Sequence, residues 1–295
     1  MPLQLKSVSV GDGPRWVADG FRAFARKPLG LSLLLMVFLA ASTLVAAVLP
    51  LAGSVLQLMA LPLLSLGYMI ATQSALLGGP VHPGQFIEPL RTDAPRRRAL
   101  LLLCGSYGAL AFAILVLGAW VSDDALTRFQ ALFAQGEPSR AQVEALFDEP
   151  GVVRAIWLLA GLVSLLSLPY WFAPALVHWG RQGVGQSLFS STLALWLNKG
   201  AFTSFMLSWV AVVVAASVLL STVLAAFGAA RYLAVLLMPV ALLLSAVFYV
   251  SQLFAFNDIF GAALGQSRPF ARIVKTDLGG HCRAVAFKIH ADATP

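Results

Sequence analysis

The sequence predicts an all-α polytopic membrane protein with six transmembrane helices, arranged as three hairpins with interfacial amphipathic helices. Three observations predict this. From Leu29 to Leu77 the chain runs 49 residues without an Asp, Glu, Lys or Arg. Hydrophobic residues make up 59% of the chain and charged residues 11%, against about 25% charged in a soluble domain. Four further charge-free stretches of 24, 26, 31 and 26 residues follow, between Arg98 and Asp123, Arg154 and Arg181, Lys199 and Arg231, and Arg231 and Asp258. A helical crossing needs about 20 apolar residues, so the first run makes two crossings and each later stretch one. Backbone groups in hydrocarbon must bond internally, and no segment alternates with period two, so the spans are helices and not barrel strands.

Taken in order, the first element is an amphipathic helix over Pro14–Lys27. Arg15, Asp19, Arg22 and Arg26 recur at helical spacing as a polar stripe, and Val17, Phe21 and Phe24 form an apolar one. Such a helix lies flat at headgroup level. Pro28 breaks it and turns the chain into the bilayer. The spans are then expected at Leu29–Val48, Ala52–Leu77, Ala99–Val121, Val152–Val177, Ala201–Phe227 and Tyr232–Phe256. The second, fourth and sixth carry internal prolines (Pro62; Pro169 and Pro174; Pro239) and are expected to kink. Segments opening Gly84-Gln85 and Gly185-Gln186 precede the second and third hairpins, suggesting a threefold repeat. The loop Ser122–Gly151 is the one substantial external connection. Its apolar stripes predict two short helices over the bundle mouth, the second opened by a capping box at Ser139–Gln142. The domain division is a segment 1–28 carrying the amphipathic helix, a membrane domain 29–262 with external loop 122–151, and a basic tail 263–295.

Orientation follows from Lys and Arg. Sixteen lie in the N-terminal segment, the second-to-third loop, the fourth-to-fifth loop and the tail, while Arg128, Arg140, Arg154 and Arg231 lie on the other side. The positive-inside rule therefore places both termini in the cytoplasm. The same rule accounts for the formal charge of +7, which in a soluble protein would suggest nucleic acid. No nucleic-acid partner is expected. Trp120 and Trp157 fall at the outer interface, Trp16, Trp179 and Trp196 at the inner one, and Trp209 deeper, as a packing residue.

The chemistry-bearing residues are few. No span holds an ionisable carboxylate or cation in its middle, which argues against proton relays, voltage sensing and most ion-coupled transport. His82, His178, His281 and His290 are scattered, Cys104 and Cys282 fit no metal spacing, and no P-loop or nucleophile-elbow motif occurs. No cofactor, metal or enzymatic activity is expected. Two groups stand out. Arg96, Arg97 and Arg98 are candidates to hold anionic lipid headgroups, with topological anchoring as the plainer reading. Gln57, Gln73 and Gln252 are the costliest intramembrane polar residues and candidates to line a polar cavity, with interhelical bonding as the plainer reading.

Several pieces together carry a resemblance: Trp16 with Phe21–Pro28, Gly67-Tyr68-Met69, Pro83-Gly84-Gln85-Phe86, the run Trp171-Phe172-Ala173-Pro174-Ala175-Leu176-Val177, and Phe256-Asn257-Asp258-Ile259-Phe260. Over roughly residues 10–262 the chain resembles an uncharacterised family of six-helix inner-membrane proteins from proteobacteria. More loosely, it is similar to membrane domains attached to some glycerophosphodiester phosphodiesterases. The resemblance implies location and fold, and no catalytic residues. The first functional expectation is a structural or accessory inner-membrane protein whose partner is the bilayer, anionic lipid in particular. The alternative is a transporter or channel for a neutral or lipidic substrate. No protein partner is named by the sequence.

Overall fold

The computed structural model describes residues 5–121, 131, 140–148 and 150–261. Among them there are helices and turns and no strand. The elements are α1 (Asp12–Arg26), α2 (Pro28–Val48), α3 (Pro50–Leu76), α4 (Ala94–Val121), α5 (Arg140–Phe147), α6 (Pro150–Tyr170), α7 (Ala173–His178), α8 (Val184–Leu197), α9 (Lys199–Ala226) and α10 (Leu233–Phe260). Six stretches are long and apolar enough to cross a membrane, with α6 and α7 together making the fourth. The second short helix of the external loop is α5; the first lies outside the described residues, as does the tail 263–295.

α3 is the central span. Half of its most apolar window is buried, against 11% to 28% for the other five, and it packs on α2, α4 and α10. Burial concentrates at the end where α1 and α8 lie. There Trp16, Phe172, Phe202, Phe205, Phe256 and Phe260 form one aromatic cluster, with ring centroids 5.0 to 5.9 Å apart between touching pairs. Aromatic pairs of this kind contribute about 0.5–1.5 kcal/mol each beyond their buried area. At the opposite end α2, α4 and α9 present Leu44, Val48, Val116, Val218 and Leu219 outward, the pattern of helices facing lipid.

Two expectations are corrected and a third is sharpened. First, α1 does not merely float on a leaflet. It docks against α9 and α10, and its buried face is Gly13, Trp16, Val17, Gly20 and Ala23, with Asp19 beside them. Phe21 remains 37% exposed and stacks on Trp209. The glycines explain the close approach: a Cβ on Gly20 would stand 2.8 Å from Ser251 Cβ, and one on Gly13 would run into the backbone of α9. Small residues let helix axes come this near in a membrane. Second, Trp16 is fully buried and not an interfacial anchor. Its indole Nε1–H donates to Asp258 at 2.7 Å, and Arg15 pairs with the same carboxylate.

Third, the fourth span is broken. α6 ends at Tyr170 and α7 starts at Ala173. Pro169 starts the disruption by withholding a donor. The buried hydroxyl of Ser191, from α8, then inserts where an intrahelical bond would close. Phe172 N–H donates to Ser191 Oγ at 3.0 Å, and that hydroxyl donates to Leu168 C=O at 3.1 Å. A side chain inserted into the helical ladder is a recognised cause of a sharp bend. Pro174 falls in the first turn of α7, where its missing N–H costs nothing.

Candidate functional site

The basic loop between the second and third spans folds as two short 3-10 turns, Pro83–Phe86 and Glu88–Arg91, before α4 begins. The first turn is held by Gln85. This side chain is buried, donates to Pro80 C=O at 3.1 Å and accepts from His82 N–H at 3.3 Å. Phe86 packs on Tyr68 and Phe38, covering Gly67. The loop is thereby pinned to α3, and the arginines that follow stand at the first turns of α4.

The three arginines do not act alike. Arg96 turns inward: only 21% of its side chain is exposed, it pairs with Asp93, and it donates to His178 C=O at 3.3 Å. It therefore ties the start of α4 to the end of α7. Arg97 and Arg98 are exposed and, among the described residues, meet no acidic partner. Arg98 borders a shallow cavity of about 500 Å³ with Pro95, Leu102 and Val184. The recess thus places one cation beside apolar side chains.

The three glutamines are not gathered. Gln57 Nε2 reaches Ser42 Oγ at 3.5 Å, joining α3 to α2. Gln252 is buried and accepts from Ser65 Oγ at 2.6 Å, joining α10 to α3. On the 1.5 Å rise of a helix, Gln57 and Gln73 are about 24 Å apart along α3 and Ser65 lies between them. Two of the three thus serve as interhelical ties. Among the described residues, no three His, Cys, Asp or Glu side chains are grouped so as to hold a metal ion.

Sequence reasoning missed the polar ties at the ends of the spans. Asn198, at the α8–α9 junction, is buried, accepts from Val8 N–H at 2.8 Å, and donates to Lys6 C=O and Ala194 C=O. Lys6 N–H in turn donates to Ile259 C=O at 2.7 Å. The N-terminal segment is thus stitched across the ends of α9 and α10. Asp19 is the one buried carboxylate of α1. Burial pushes its pKa above the ordinary value, and the hydrogen bond from Arg22 pulls it back only in part. The spacing Gly13–Trp16–Gly20 was the available signal for this docking face.

Two further cavities flank α9, the least buried span. One, about 590 Å³, separates α9 from α10 and is lined by apolar side chains with Ser217, Ser245 and Tyr249. The other, about 550 Å³, lies between α6, α8 and α9 and carries Lys199 at its edge.

A protein of Burkholderia thailandensis described as a probable inner membrane protein is 32% identical to this chain over 263 residues, covering 88% of this chain and 94% of the relative. No family model matches the chain, and no solved structure matches it.

Proposed function

We propose that this chain, which belongs to the same family as that probable inner membrane protein, is a structural or accessory protein of the bacterial inner membrane, without catalysis of its own, whose basic cytoplasmic face contacts anionic lipid. One observation carries the reading. Among the described residues cations concentrate eleven to three on one side of the six spans, and there Arg97 and Arg98 stand exposed beside an apolar recess. Each cation near an anionic surface contributes on the order of 1 kcal/mol. The family membership supports the membrane assignment. The looser likeness to membrane domains attached to glycerophosphodiester phosphodiesterases would set the protein near lipid chemistry without giving it any.

Transport of a neutral or lipidic substrate is the second reading, favoured by the grooves beside α9. The pairing of Gln57 and Gln252 with serines of neighbouring helices supports the accessory reading over it, because it takes those groups out of any shared polar path.

The test is lipid mass spectrometry of protein purified from cells. Changing Arg97 and Arg98 together to Gln is expected to lower the ratio of copurified anionic to zwitterionic lipid, and high salt is expected to lower it in the unmodified protein. Arg96→Gln is expected instead to lower stability, because it removes the tie between α4 and α7. An unchanged lipid ratio in the Arg97/Arg98 variant would overturn the headgroup contact.

A further inference from the structure

The groove between α6, α8 and α9 has a polarity gradient that the proposed lipid contact at α4 does not use. α9 lends it Lys199, Phe202, Thr203, Met206 and Leu207, at spacings of three and four, so they form one stripe descending about 12 Å into the bilayer. α6 faces it with Ser164, Ser167 and Leu168. α8 closes its mouth with Thr192 and Trp196, and Lys199 Nζ lies 5.3 Å from the Trp196 ring centroid. The mouth is therefore cationic and aromatic, and the depth is mostly apolar, with the hydroxyls of Ser164 and Ser167 along α6.

We propose that this groove is a binding site for one anionic phospholipid, its phosphate at Lys199 and Trp196 and one acyl chain lying between α6 and α9. Its volume of about 550 Å³ falls in the range of sites that hold a single small ligand, about 300–1,000 Å³. The larger groove between α9 and α10 has no cation on its walls, so it offers no charge to select a headgroup. The two walls of α9 thus differ in charge, and the α6–α8–α9 groove is the one that distinguishes an anionic lipid from a zwitterionic one. The proposal rests on the reading that the protein's basic side faces anionic lipid, and adds a discrete site to it.

The experiment reconstitutes the full chain in nanodiscs containing either phosphatidylglycerol or phosphatidylcholine with a photoreactive group on one acyl chain, and maps the labelled peptides by mass spectrometry. Labels from the phosphatidylglycerol probe are expected to concentrate on peptides covering Ser164–Leu168 and Thr203–Leu207 over those of α2. Lys199→Gln is expected to lower the groove's preference for phosphatidylglycerol over phosphatidylcholine about fivefold, the scale of one cation near an anionic headgroup, and Lys199→Arg to restore it. Leu207→Trp, at a residue 63% exposed and outside the core, is expected to abolish groove labelling while leaving thermal stability intact. Labels spread evenly over all spans, or a preference that Lys199→Gln leaves unchanged, would overturn the site. The groove fails alone if copurified anionic lipid still depends on Arg97 and Arg98. If that dependence is also absent, the wider reading fails with it.

Discussion

Ser191 shows how one hydroxyl can decide the shape of a span. It satisfies the Phe172 N–H and the Leu168 C=O that the break between α6 and α7 leaves open. Ser191→Ala would leave both groups unpartnered in a buried place, and the expected loss of stability is about 1–3 kcal/mol, read as a lowered midpoint of thermal unfolding in detergent. Ser187 supplies the control. It is as buried, but its hydroxyl only bonds back to Val184 C=O within its own helix, so Ser187→Ala is expected to cost less than half as much. Equal effects would show that the bridge carries no special weight. Asp19 gives a prediction of opposite sign. Its carboxyl is raised above its ordinary pKa, chiefly by burial, so the folded state prefers it protonated. Its favourable contribution is present below the ordinary carboxylate range and is lost as pH rises through the raised value. Asp19→Asn should therefore leave neutral-pH stability unchanged or improved, since the Arg22 it pairs with is 57% exposed and such pairs are weak. The wild type should gain on the variant as pH falls, and unfolding midpoints for both across the carboxylate range check this. A widening gap in the variant's favour at low pH would contradict it.

At the scale of elements, the spans were legible because lipid imposes so simple a rule. All six expected spans are found, the fourth as α6 and α7 together, with ends within about five residues of expectation; the charges bound the apolar core of each crossing while the helices extend a few residues past them. What escaped was the local repair of backbone and the face on which α1 docks. Of the expected apolar stripe Val17 is buried in the docking face, but Phe21 and Phe24 entered the stripe because hydropathy ranks side chains by size. The real face is built on Gly13 and Gly20, where nearness of backbone counts for more than side-chain area. The break after Tyr170 was likewise half visible. Pro169 announced a kink, but the hydroxyl that completes it comes from a different helix, and pairings between distant segments leave no periodic trace. The candidate site was legible to the same degree: the arginine run was found, but that Arg96 turns inward while Arg97 and Arg98 stay exposed depends on Asp93 and on the distant His178 carbonyl. Docking through glycine is testable. Gly20→Leu should drive α1 off α10, at a cost of about 1–3 kcal/mol for the overpacking. With a single cysteine at Ala23, a residue 2% exposed, in a background lacking Cys104 and Cys282, the thiol should be protected beside Gly20 and reactive beside Leu. Continued protection would mean that the helix yields without leaving its seat.

Across the whole molecule, the described residues are packed tightly at one end and loosely at the other, and this asymmetry bears on the threefold repeat. The hairpin of α2 and α3 is close-packed, whereas α9 and α10 diverge around a cavity of about 590 Å³. The shared Gly-Gln openings are not equivalent either, since Gln85 is buried and bonded while Gln186 is exposed. Each hairpin has thus taken its own packing. Among the described residues the packed end is also where most cations lie, and the two facts have one physical source. A helix bundle needs its polar ties where water and headgroups can relieve their cost, and the N-terminal segment, α1, Lys27 and the loop before α4 all meet there, with Lys27 Nζ bonding Gly79 C=O at 2.6 Å. On the proposed reading the positive-inside rule assigns this end to the cytoplasm, and that orientation can be tested. Ser7 is exposed between two backbone anchors, the Lys6 and Val8 N–H groups, so a cysteine there can react without disturbing either. In a background lacking Cys104 and Cys282, Ser7→Cys is expected to resist an impermeant thiol reagent in intact cells and to react once the membrane is permeabilised, whereas Gln135→Cys, in the loop assigned to the outside, is expected to react at once. The reverse pattern would put this end outside, and with it Arg97, Arg98 and the mouth of the Lys199 groove, leaving no cytoplasmic anionic leaflet for them to meet.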